Sequence, residues 1–136
     1  MNRLRFRVWD KEVQEFAHWP VYFNLTNSEI VTELWYGYEI QIEEPLQDSN
    51  YIVLQSTGLF DKNGTEIYEG DIVKFKNPYD KRFNAFGVVV WREDKACFGM
   101  DMAGTTEQFE LYRITAENYL TVIGNIYQDE HLLGEE

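Results

Sequence analysis

Several groupings of side chains in this 136-residue sequence have the types and spacings that could do chemistry. Asp61-Lys62-Asn63-Gly64 offers oxygen ligands ahead of a glycine, the pattern of a calcium loop. Placing Gly64 at the sixth position of such a loop puts Leu59 at the first ligand position and Gly70 at the twelfth, where a bidentate Glu is needed, so the spacing describes a turn. Glu69 and Asp71 flank Gly70 and on an extended chain would stand about 6–7 Å apart on one side, within reach of acid/base pairing. Such a pair needs a desolvating cleft, and nothing near it in the sequence supplies one. Cys97 lies opposite the apolar face of Ala96, Phe98, Met100 and Met102, and a thiol nucleophile there would need a base folded beside it from His18 or His131. One Cys and two distant His do not make a zinc set, and Gly99 and Gly104 lack the Lys-Ser/Thr of a phosphate loop. We therefore expect no enzyme, no metal and no cofactor, with Asp61, Asn63, Gly64 and Gly70 serving as structural turn residues.

The richest grouping is cationic. Residues 74–95 carry Lys74, Lys76, Lys81, Arg82, Arg92 and Lys95 against Asp80, Glu93 and Asp94, with Tyr79, Phe83 and Trp91 interleaved. Small barrels use such interleaving to stack bases and neutralise phosphates. Lys74, Lys76, Tyr79, Lys81, Arg82, Phe83, Trp91 and Arg92 are thus the candidate contacts for a partner or a nucleic acid. The bland alternative makes Phe86, Val88, Val90 and Trp91 core or interface and the cations solvated neighbours. The whole chain decides between them, because 12 Lys+Arg against 24 Asp+Glu give −12. A polyanion repels nucleic acid and anionic membranes, so protein partners are favoured over both.

The elements that must position these residues read as β throughout. Leu4, Phe6 and Val8 alternate with Arg3, Arg5 and Arg7, predicting a first strand with the apolar set inward. Asp10-Lys11-Glu12 reads as a turn, and Val13 to Phe23 as short strand material broken at Pro20. Residues 28–36 stay open between a short helix capped by Ser28 and a strand. Tyr38 to Ile42 and Tyr51 to Gln55 read as strands, with a loop over 45–50. Asn63-Gly64 between apolar flanks predicts a tight hairpin with both residues in left-handed conformations. Beyond it, Asp71–Lys76, Phe86–Arg92, Ala96–Met102, Gln108–Tyr112 and Leu120–Tyr127 have the spacing of a small antiparallel barrel, with one helical turn over 115–118 and a frayed turn over 129–134.

The amino-terminal run alternates charge and apolar bulk, unlike an export signal, and the longest apolar stretch, Phe86 to Trp91, falls far short of the ~20 residues of a membrane span. A cytoplasmic chain with no membrane partner is expected. Nine Phe, nine Tyr and four Trp exceed what one small core can hide, and surplus Tyr and Trp line protein interfaces.

The run Leu54-Gln55-Ser56-Thr57-Gly58-Leu59-Phe60-Asp61-Lys62-Asn63-Gly64-Thr65-Glu66-Ile67-Tyr68-Glu69-Gly70-Asp71-Ile72-Val73 resembles the YopX family of phage and prophage proteins of bacteria. The opening Phe6-Arg7-Val8-Trp9-Asp10 and the ending Val122-Ile123-Gly124-Asn125-Ile126-Tyr127, followed by Leu132-Leu133, keep that family's order. Between residues 17 and 50 no family pattern is visible. The resemblance implies an SH3-like β-barrel after the hairpin, preceded by additional β structure, and implies no established activity. The expected protein is all-β, with residues 1–57 an N-terminal β segment and 58–136 the hairpin and SH3-like barrel. Its expected role is that of a non-enzymatic phage accessory protein in the bacterial cytoplasm. It would act by protein–protein contact, as a homo-oligomer and with a host or phage protein. The alternatives are a nucleic-acid-binding barrel using the 74–95 rim and an acidic decoy that mimics DNA.

Overall fold

A computed structural model describes residues 4–35, 40–76 and 84–134. The chain is all-β, and it divides into two compact units, one of Arg7–Leu54 and the other of Gln55–Glu136 with Met1–Phe6.

In the first unit, β1 (Phe6–Asp10) pairs antiparallel with β2 (Glu15–Phe16), Trp9 facing Phe16 and Asp10 facing Glu15. The buried Asp10 closes the turn between them, its carboxylate accepting from the backbone N–H of Glu12 and Val13. Next come β3 (Phe23–Asn24), β4 (Glu29–Trp35) and β5 (Ile40–Pro45), an antiparallel sheet in chain order with Ile30 fully buried. Of the two alternatives the strand is adopted, over Glu29–Trp35, because Ile30, Val31 and Thr32 favour extended backbone and Ser28 takes φ 56°, which no helix N-cap uses. A 3₁₀ turn (Leu46–Asp48) then leads into β6 (Tyr51–Phe60), which carries the chain into the second unit.

There, β6 turns through 61–65 into β7 (Glu66–Tyr68). Then β8 (Asp71–Lys76), β9 (Asn84–Arg92), β10 (Cys97–Met102) and β11 (Gln108–Glu110) form a four-stranded meander. Helix α1 (Arg113–Tyr119) follows, and β12 (Leu120–Asn125) returns to pair with β8, so the sheet order is β11-β10-β9-β8-β12. A last turn, α2 (His131–Gly134), ends the described chain. The sheet curls as a half-barrel around one core. Alternate residues Val73, Val89, Met100 and Met102 line its inner face and meet Ile67, Leu111, Ala116 and Leu120. Burying each large side chain of this set stabilises the unit by about 1.5–3 kcal/mol.

Two expectations are corrected. The first strand does not turn its apolar set inward as expected: Leu4 is 70% exposed and Phe6 is exposed too, whereas Trp9, on the side of the arginines, is 4% exposed and Arg7 is half-buried. Phe16 decides this, because it packs edge-on to Trp9 (centroids 4.9 Å) and beneath the Arg7 guanidinium (4.7 Å), a cation–π contact that lets arginine occupy an inward position. At the hairpin, Gly64 has φ 82° but Asn63 is not left-handed. Gly64 N–H donates to Asp61 C=O and Asp61 N–H to Thr65 C=O, a three-residue loop in which only its last residue needs positive φ. Tyr38, the start of an expected strand, lies outside the described residues.

Candidate functional site

The residues with the most chemical promise in the sequence are the ones the fold consumes. Asp61 is buried, and its Oδ1 accepts from the N–H of Asn63 and Thr65 (2.9 Å each) while Oδ2 accepts from Val122 N–H in β12 (2.8 Å). All three donors are backbone, so this carboxylate ties the 61–65 hairpin to the edge of the five-stranded sheet. Glu69 and Asp71 are likewise bound to backbone: Glu69 Oε2 accepts from Gln55 N–H (2.9 Å), and the buried Asp71 Oδ2 from Tyr68 N–H (2.8 Å). Between them Gly70, at φ 84°, donates its N–H to Val89 C=O and accepts from Ile126 N–H. A Cβ at Gly70 would meet the Tyr127 ring at 3.0 Å, so glycine is required by conformation and by space.

The cationic candidates are dispersed. On β8, Lys74 and Lys76 share the outer face of the sheet, Lys74 being paired across to Phe86 and Thr121. Arg92 also points to that face but stands six residues farther along β9 than Phe86, about 20 Å away. Its side chain is only 10% exposed: Nη2 donates to Asp101 Oδ1 (2.7 Å) and to Met100 C=O (3.1 Å). Gly99 makes room for it, since a Cβ there would come within 2.6 Å of Arg92 Nε. Trp91 faces the other way, packed edge-on against Phe98 with centroids 5.1 Å apart. Tyr79, Lys81, Arg82 and Phe83 lie outside the described residues.

What the sequence reading missed is an apolar margin at β11 and α1. Phe109 (48% exposed) and Trp91 (45%) share the face of the sheet that Phe98 occupies, and Tyr112 (59%) and Ile114 (73%) are exposed in the segment that follows β11. The short strand Gln108–Glu110 after the polar loop 104–107 was the available signal, because an aromatic on a terminal strand cannot be covered from both sides. Tyr112 hydroxyl donates to Glu110, whose carboxylate also lies 3.6 Å from Lys95 Nζ. That hydrogen bond holds Tyr112 above its ordinary pKa and, with Lys95, keeps Glu110 below the usual carboxylate range. Cys97, half-buried and free, is on the outer face of β10 opposite Arg92. No helix among the described residues is long and apolar enough to cross a membrane.

A half-barrel built from a meander, a helical turn and a returning strand, with buried carboxylates bound to backbone, defines a small all-β protein. The profile of the YopX protein family matches residues 5–134, and the chain belongs to that family. Its structure is similar to the crystal structure of protein EF1440 from Enterococcus faecalis, with 26% identity and TM-score 0.62, covering 94% of this chain and 96% of that one. It is similar also to the crystal structure of protein yopX from Bacillus subtilis, with 19% identity and TM-score 0.61, covering 96% of each chain. No curated protein matches.

Proposed function

We propose that this chain is a non-enzymatic accessory protein that works by protein–protein contact, as a homo-oligomer and through it with a phage or host protein in the bacterial cytoplasm. The phage setting follows from the family resemblance. The contact reading is carried by Trp91 and Phe109, exposed on one face of the sheet at the margin of the packed core, since large side chains left open there mark a protein-binding surface. We further infer that the second unit is SH3-like. The meander β8–β11, the helical turn and the return of β12 to β8 support this, and such small barrels commonly present an aromatic margin to partners. The nucleic-acid alternative loses support from Arg92, whose charge is answered by Asp101 within the sheet.

Light scattering at micromolar protein tests the proposal. More than one 16.2 kDa chain per particle is expected, with a smaller mean mass for the double substitution Trp91→Ser, Phe109→Ser. A wild-type particle of one chain refutes it.

A further inference from the structure

We propose that two copies of this chain join through β11, strand Gln108–Glu110 of one pairing antiparallel with the same strand of the other across a two-fold axis at Phe109. This names the contact of the homo-oligomer proposed above and rests on that reading.

The hydrogen-bond phase of the sheet sets the geometry. Leu111 N–H donates to Phe98 C=O, and Met102 N–H to Glu107 C=O. With the register Met100 opposite Phe109, the backbone groups of 107, 109 and 111 all turn toward β10. Those of Gln108 and Glu110 therefore turn outward, and among the described residues nothing meets them. The opposite margin of the sheet is different. There the 61–65 hairpin lies over β12, with Lys62 N–H on Leu120 C=O and Asp61 on Val122 N–H. One edge is closed and the other is open, and an open edge is a template for another strand.

Charge selects the occupant and its direction. A chain of −12 repels its own copies over most of its surface, but within β11 itself the one acid is answered, Glu110 by Lys95 and Tyr112. An antiparallel two-fold pairing sets neutral Gln108 opposite Glu110 of the second copy, whereas a parallel in-register pairing sets carboxylate beside carboxylate. It also makes each Gln108 and Glu110 a hydrogen-bonded pair, using every outward group. Phe109 then meets its counterpart on the axis at a non-hydrogen-bonded position, the closest approach in an antiparallel ladder, and the two exposed rings cover each other.

The test uses the full chain with Cys97→Ser and Phe109→Cys. At a non-hydrogen-bonded pair the Cα atoms stand about 4.5 Å apart, inside the range a disulfide bridges, so mild oxidation should give a covalent dimer. Ile114→Cys in the same background, away from the axis, should stay unlinked. In parallel, Glu110→Pro removes an outward N–H that the ladder to β10 does not use, and should yield a folded monomer. If Glu110→Pro does not fold, the crosslink alone decides. An oligomeric wild type in which Phe109→Cys stays unlinked overturns the β11 contact and leaves the oligomer standing. A monomeric wild type overturns both.

Discussion

Asp61 gives the sharpest stability prediction because its three hydrogen bonds are of unequal worth. The N–H groups of Asn63 and Thr65 lie in an exposed loop, where water replaces a lost acceptor, so each bond contributes about 0.5–1 kcal/mol. Val122 N–H is part of a packed sheet margin, and stranding it costs about 1–3 kcal/mol. Asp61→Ala should therefore destabilise by about 2–4 kcal/mol once the carboxylate's own desolvation is recovered. Asp61→Asn should cost about 1–3 kcal/mol, because its single carbonyl can serve the loop or Val122 but its NH₂ then faces a donor. Asn63→Ala is the control: its side chain makes no bond in the turn, and a change within about 0.5 kcal/mol is expected. In urea, with a slope near 2 kcal/mol/M, the Asp61→Ala midpoint falls by roughly 1–2 M at unchanged slope. A midpoint equal to that of Asn63→Ala would show that the carboxylate does not hold the hairpin to β12.

Glu66 should make stability fall in acid. Burial alone would raise its pKa, but hydrogen bonds from Ser56, Arg5 and Tyr68 together with the Arg5 charge, 2.5 Å away, outweigh burial and hold it below the ordinary range. Its contribution is complete above the unfolded value of about 4.3 and disappears as pH falls through the lower folded value. Urea midpoints of wild type and Glu66→Gln should therefore converge below that window, and parallel curves would contradict the linkage. Gly64→Val should cost about 1–3 kcal/mol by backbone strain alone, since nothing lies within 4 Å of a Cβ at φ 82°. Gly64→Ala should cost nearly as much, and an unchanged thermal midpoint for both would show that the turn rebuilds. No shift of single- or double-stranded DNA or RNA is expected at micromolar protein and ~150 mM salt. Tight, salt-sensitive binding lost on changing Lys81, Arg82 and Arg92 to Glu would favour the nucleic-acid reading instead.

The residue pattern by itself determined what depends on neighbours along the chain. Period-two apolar runs and Gly punctuation specified strands over 71–76, 86–92 and 96–102, because side-chain alternation and turn chemistry are local, and the last of these begins one residue later, at Cys97, since Ala96 takes φ 51° in the turn. The long run from Leu54 to Val73 marked the family for the same reason. Tertiary structure decided what depends on residues distant in sequence. It chose which face of the first strand is inward, through Phe16, and it gave Asp61 its third donor, 61 residues away on Val122. It also tied Arg92 to Asp101 and left Phe109 open at the end of the sheet. No local pattern carries these outcomes: a cation is free or paired, and an aromatic buried or offered, according to which strand lies alongside, and that is fixed only when the sheet closes.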